Sequence, residues 1–344
     1  MLRVSRFAMV ALLAAAVAAP SRAAEVDNLL PKETEFVVQA NVKQLLESDI
    51  VKKYALAQMK HTLEGKDAQK ILKDLGLDPM KDVEKVTVGA WGKDKDDMNG
   101  VVIVRGTFDA KKIMEAAQNA AKEMADKISI VKEGDLELIK FVGDNGKPGY
   151  LAVQEGKPII GGTDKKIVAA TVAIDAKAKP VLGKELTALV LKQDTKASLF
   201  ACGVTTGKVG EIPGDFSQLK ALGVDGDKIK EGLGKMSELA LSVIVGKDVN
   251  VAIKMGMKDK DSADDFGAEL TKLVTAAKTF LPIVGGNQPM FKGLIDDVSK
   301  TLDSVSKEKD VVVTVKVTAE AIGKAAGGGE DKEKDKDKDK DKDK

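Results

Sequence analysis

A chain of 344 residues, 43 % of them hydrophobic, is long enough for one large domain or two ordinary ones with real cores. Its 55 basic and 54 acidic residues give a net charge of +1, and only 3 % of the residues are aromatic. The chain as a whole therefore has neither the basic footprint nor the stacking rings of a nucleic-acid binder, and no broad attraction to anionic lipid. One histidine and one cysteine exclude His-rich zinc and iron sites, two-histidine mechanisms and any intramolecular disulfide.

The chain opens with a basic segment, MLRVSR, then an apolar run of 13 residues, FAMVALLAAAVAA, then PSRAAE with small residues at Ser21 and Ala23. This order predicts a secretory signal peptide over residues 1–23, cut after Ala23, and the apolar run is too short to span a bilayer. No cysteine lies near the cut, and no later stretch is apolar enough for a membrane span. The mature chain is expected to be exported, periplasmic or secreted. The cut removes Arg3, Arg6 and Arg22, leaving 52 basic against 54 acidic residues and Arg105 as the sole arginine. Bidentate recognition of phosphates and guanine edges favours the arginine fork, so no nucleic-acid partner is expected.

In chain order, the first half (24–177) begins with a strand in TEFVVQANV, followed by helical periodicity from Val42 to Leu75. KVTVGAWGKD and NGVVIVRGTF form a hairpin around a turn signal at Asn99-Gly100. DAKKIMEAAQNAAKEM is a helix with Ile113, Ala117, Ala120 and Met124 on one stripe. KISIVKE and LELIKFVG, then GYLAVQE and KPIIGG, read as strands, and TDKKIVAATVA as a helix. The second half (178–326) starts with a linking helix in KAKPVLGKELTALVLKQDT and repeats the order. ASLFACGVTT is a strand, FSQLKALGVDGDKIKEGLGKM a broken helix, and ELALSVIVGKD with VNVAIKMGM a hairpin. SADDFGAELTKLVTAAKTF is a helix and DVVVTVKVT a returning strand. Both first hairpins carry Gly-Lys-Asp, at Gly92-Lys93-Asp94 and Gly246-Lys247-Asp248. The order predicts an α+β fold of two tandem halves, each like a split βαβ unit, with mostly antiparallel sheets covered by helices, side by side or joined edge to edge. Residues 327–344, GGGEDKEKDKDKDKDKDK, have nothing apolar to bury and are expected to form a disordered Lys/Asp tail that aids solubility or spacing.

Candidate sites are few. His61 falls outside the apolar arc of Val51, Ala55, Met59 and Leu63 and reads as a solvated boundary residue; no G-x-S-x-G elbow accompanies it. Asp94, Asp96 and Asp97 suggest calcium, but an EF-hand counted from Asp94 meets Met98, Asn99 and Arg105 where an oxygen ligand, glycine and glutamate belong. In DKDSADDF, Ser262 reads as a helix cap with Asp264 and Asp265 in the first turn. Gly161 and Gly162 read as a tight turn, with Thr163 or Asp164 capping the next helix, since no phosphate-loop pattern is present. Cys202, in ASLFACGV, reads as a buried strand residue. Arg105 stands out: in a strand of a chain that otherwise uses lysine, it needs a carboxylate partner or an anionic ligand if its face is inward.

LLPKETEFVVQANVKQLLESDIVKKY and GYLAVQEGKPIIGGTDKKIVAA resemble segments of a loose group of exported bacterial proteins of unknown function. The resemblance implies an envelope-resident α+β protein and supplies no functional residues. The expectation is a non-enzymatic exported protein, without cofactor or metal, that binds an unknown protein or small-molecule partner or serves the envelope structurally. The alternatives are a carrier of a hydrophobic small molecule, marked by an apolar cavity, and a carboxylate-based hydrolase, marked by paired buried carboxylates.

Overall fold

The β-branched runs of the sequence become strands, as their propensity dictates. The computed structural model describes residues 24–92, 97–143, 146–175, 177–205, 215–285 and 289–327. Ala23, Asp94, Asp96 and the tail beyond Gly327 lie outside the described residues. In chain order the strands are β1 (Phe36–Asn41), β2 (Val83–Trp91), β3 (Asn99–Gly106), β4 (Ile128–Glu133), β5 (Leu136–Val142) and β6 (Pro148–Ala152). They continue with β7 (Ile159–Gly162), β8 (Leu199–Val204), β9 (Met236–Val245), β10 (Asp248–Met257), β11 (Asp303–Lys307) and β12 (Asp310–Thr318). The helices used below are α1 (Val42–Glu47), α2 (Leu56–Leu63), α3 (Lys66–Leu75), α4 (Pro79–Asp82), α5 (Ala110–Glu123) and α6 (Lys165–Val172). After them come α7 (Lys184–Leu191), α8 (Gly226–Gly234), α9 (Lys260–Gly285), α10 (Lys292–Thr301) and α11 (Ala319–Ala325).

All twelve strands form one antiparallel sheet, in the order β11-β12-β10-β9-β8-β1-β2-β3-β7-β6-β5-β4. The α+β class is as expected. Each half supplies one block of strands, and the blocks join edge to edge where β1 pairs with β8, Val37 facing Cys202. The interleaved pairing of a split βαβ unit is not what the strands adopt. That unit needs a crossover that leaves its two strands parallel with a third strand between them. Here the helical excursion α1–α4 ends where it began: Asn41, the last residue of β1, pairs with Lys85 near the start of β2. The chain re-enters beside its starting strand and runs antiparallel. The excursion between β8 and β9 does the same, with Val204 opposite Glu238.

Local chemistry sets the helix ends. The Asn41 side chain accepts from the Gln44 amide at 3.0 Å and starts α1. The helical periodicity expected from Val42 to Leu75 is broken at Ser48, whose hydroxyl accepts from the Val51 amide, widens into a π-helical turn over Val51–Ala55 and is broken again at Gly65. Asp259, not Ser262, starts α9: its carboxylate accepts from the Ser262 amide at 2.8 Å, and Ser262 is buried in the first turn. Asp164 caps α6, accepting from the Lys166 and Ile167 amides, while the Thr163 hydroxyl accepts from the Gly100 amide. Gly161 and Gly162 do not form the turn; they close β7, where a side chain on Gly162 would meet Val168 at 2.8 Å.

The sheet's front face carries the main core. Val37, Val101, Ile103, Ile160, Phe200 and Cys202 are buried there beneath α6, α7 and the segment 24–35, which inserts Leu29 and Leu30. The back face is covered only toward its two sides. On one side α5 packs Ile113 and Ala117 against Ile139, Ile130 and Leu151. On the other, α8 and α9 pack Ile229, Ala263 and Phe266 against Met255, Met257 and Val311. No helix among the described residues is long and apolar enough to cross a membrane.

Candidate functional site

Strand register defines what lies between the two helix layers of the back face. Val38 faces Val88 on β2, which faces Val102 on β3. In the other direction Val38 faces Ala201, Ala201 faces Leu241, and Leu241 faces Ile253. The row therefore crosses six adjacent strands, about 24 Å at a strand spacing of roughly 4.8 Å. Beyond Val102 it passes beneath α5 at Leu151 and Ile139; beyond Ile253 it reaches Val313, beneath α9. A parallel row runs Val104, Val86, Ala40, Leu199, Val243 and Val251.

Between Val102 and Ile253 in the first row, and between Val104 and Val251 in the second, no residue belongs to a buried cluster of the described residues. Val38 is 38 % and Ile253 36 % exposed, and the residues between them are half-buried. The strand amides and carbonyls beneath them are engaged in ladder pairing, so the floor offers methyl groups and no polar partner. At one edge of the sheet, below the ends of β1 and β12, the π-helical turn and α11 meet. The Tyr54 ring lies against Gly323, where a side chain would come within 2.7 Å of it. The result is an apolar trough walled by α5 and α9 and bridged at one end. The sequence signal for it is present in β1 and β3: FVV and VVIV are apolar at successive positions, so both faces are apolar where one alone has a cover.

Arg105 lies on the front face, opposite Lys85 on β2. Its Nε donates to Asp27 Oδ2 at 3.0 Å and its Nη2 to Asp27 Oδ1 at 2.7 Å, with Asn28 Oδ1 at 3.5 Å. Asp27 Oδ1 also accepts the Leu29 amide at 3.1 Å. The Asp27 side chain is fully buried, whereas Arg105 is 31 % exposed. Hydrogen bonding to Asp27 holds the guanidinium pKa above its ordinary value, against the opposing effect of burial. Of the two roles open to Arg105, the geometry gives the ion pair: it fastens segment 24–35 over the core. The Ala24 amide adds a bond to the Gln193 carbonyl at 3.1 Å. The cleft beside the pair, about 290 Å³, is lined by Glu25, Asp27, Lys85 and Arg105 in balanced charge.

The remaining candidates take structural roles. Cys202 is buried on β8, and burial first, then Glu238, pushes its thiol pKa up to about 12, so it is no nucleophile at neutral pH. His61 is exposed on α2. A wide groove of about 800 Å³ beside α2 and α3 is lined by Lys60, Glu64, Gln69, Lys73, Asp78 and Lys81 among others, and its Asp78 is paired with Lys81 at 2.8 Å. The buried Glu269 accepts from the Asp225 amide at 2.9 Å and from Lys272 at 2.8 Å. Among the described residues no cluster of three or more His, Cys, Asp or Glu could hold a metal ion. No protein-family model, curated protein or solved structure matches the chain.

Proposed function

We propose that this is an exported carrier protein that holds the acyl chains of a lipid-like amphiphile in the back-face trough, without catalysing a reaction. One observation supports this reading: the central strands are apolar on both faces, and their front face is covered whereas the back face is covered only toward its sides and at one end. An apolar sheet face is stable only when something shields it from water. The Phe36 ring, on the same face as Val38, is packed over Gly203 of the neighbouring strand, and the two rows of the floor offer no side-chain donor to orient a polar ligand. Hydrocarbon is the chemistry it matches. Its span of about 24 Å exceeds one leaflet's acyl chain, about half of a roughly 30 Å bilayer core.

Export through residues 1–23 belongs to the same proposal, as does a tandem origin of the two strand blocks. The matching orders β1-β2-β3 and β8-β9-β10 on either side of the central pair support the latter. The test is native mass spectrometry of the mature protein, residues 24–344, purified from its own host, with extraction and identification of any released lipid. The expected result is extra mass on the monomer that extraction identifies as acylated molecules. A clean monomer mass, with no lipid in the extract, overturns the proposal.

A further inference from the structure

Among the described residues, and apart from the trough, exposed large apolar side chains cluster at one end of α9. Phe280 (50 % exposed) and Ile283 (66 %) end α9, and Met290 (52 %) and Phe291 (40 %) lie in the 3₁₀ turn that leads into α10. Helices α9 and α10 pack side by side as a hairpin, so all four residues sit at its tip. The 26 residues of α9 reach about 39 Å, further than the roughly 30 Å of nine-residue β12 on which it packs. The helix therefore carries its apolar end beyond the sheet.

The charge pattern around the tip is also uneven. The chain has 54 acids in 344 residues, yet none between Leu270 and Ile295, a stretch that holds Lys272, Lys278 and Lys292. Lys272 is paired with Glu269 and Lys292 with Asp296, both acids lying just outside that stretch. The nearby α11 contributes a Glu320–Lys324 pair and so no net charge. The tip itself holds no acid, and Asp297 behind it is engaged by the Thr318 amide and hydroxyl, so the four apolar side chains meet little repulsion from an anionic surface.

At about 200 Å² for a large side chain, the four exposures leave roughly 400 Å² of apolar surface. That is about half of the roughly 800 Å² each partner buries in a stable protein interface. It suits shallow insertion into the headgroup region, where a few apolar side chains flanked by lysine suffice for reversible attachment.

We propose that the α9–α10 tip is a peripheral membrane contact that dips Phe280, Ile283, Met290 and Phe291 into an anionic bilayer surface. The contact stands on residues separate from the trough, so the two proposals can fail independently. The experiment is co-sedimentation of the mature protein with phosphatidylethanolamine–phosphatidylglycerol vesicles, compared with the double variant Ile283→Asp/Phe291→Asp. Both positions are exposed, and an unchanged melting temperature verifies that the variant is folded. The expected result is vesicle binding by the wild type and at least a tenfold lower partition for the variant, with fatty-acid binding in solution unchanged. Equal partition of both proteins, or no vesicle binding by the wild type, overturns the proposal. Dimerisation that the variant abolishes, in the absence of vesicle binding, also overturns it and assigns the tip to a second copy of the chain.

Discussion

Val37 and Val38 are neighbours in one strand with the same side chain, yet one is in the core and the other in the open trough. Val37 lies under segment 24–35 on the front face, 2 % exposed, beside Cys202 and Val101. Val38 points to the back, into the gap between α5 and α9. The same division separates Ile103 from Val102 and Phe200 from Ala201. The front face shows what these strands need in order to fold. The back face, equally apolar and without a helix over its centre, exceeds that need. This surplus is what the carrier proposal explains, and it can be attacked from either face.

The largest effect is expected from a charge on the covered face. Val37→Asp places an unpaired carboxylate in a sealed core and should cost about 4 kcal/mol or more, seen as loss of the cooperative urea transition or a large fall in its midpoint. Arg105→Ala should follow at about 3–5 kcal/mol, because it leaves the fully buried Asp27 carboxylate without its guanidinium. Limited proteolysis should then cut first within residues 24–35, as the segment loses its fastening.

Cys202 gives a pH-dependent test of how tightly the front face is sealed. The unfolded thiol titrates near pH 9, whereas the folded one keeps its proton until about 12. Between those values the folded state binds the extra proton, so stability falls as pH rises, by at most about 1.4 kcal/mol per pH unit. The stability difference between wild type and Cys202→Ala, measured by urea denaturation, should therefore shrink by about 1.4 kcal/mol between pH 8 and pH 10. A difference independent of pH would mean that the thiol reaches water. A smaller effect, about 1 kcal/mol, is expected for Asp248→Ala, which breaks a 2.8 Å pair with Lys316 and a bond from the Ala319 amide. Lys316, then the Ala319 amide, keeps the Asp248 pKa below its ordinary value. That contribution is present above the ordinary carboxylate range and is lost as the pH falls through the lowered value.

Most strands were legible because alternation and turn residues mark them locally. Their order was not. The order strand–helix–strand–strand fits both a crossover and a returning excursion, and the choice was made by where α4 delivers the chain, at Lys85 opposite Asn41. Edge strand β11, Asp-Ser-Val-Ser-Lys, carries one apolar residue and gave no periodic signal; it pairs with β12, and its Ser304 and Ser306 hydroxyls bond Thr271 and the Ala263 carbonyl of α9. Helices α10 and α11 are short and interrupted by glycine, and their stability comes from packing, Gly293 lying against Ala321. Arg105 was visible as an exception to the lysine rule, but its partner, 78 residues away, was not. The trough was half-visible: the doubled apolar runs of β1 and β3 are in the sequence, but whether a helix covers them depends on tertiary placement.

The most direct measurement is titration of a fluorescent polyene fatty acid into delipidated wild-type protein and into Val38→Asp/Ile253→Asp. Both positions are solvent-exposed, so the double variant should keep its melting temperature within a few degrees, a cost of about 1 kcal/mol. The account predicts saturable binding by the wild type and at least a tenfold weaker affinity for the variant, since each carboxylate would have to be desolvated beneath the acyl chain. Equal affinity of both proteins would place any apolar ligand elsewhere and contradict the assignment of the open face as the binding surface.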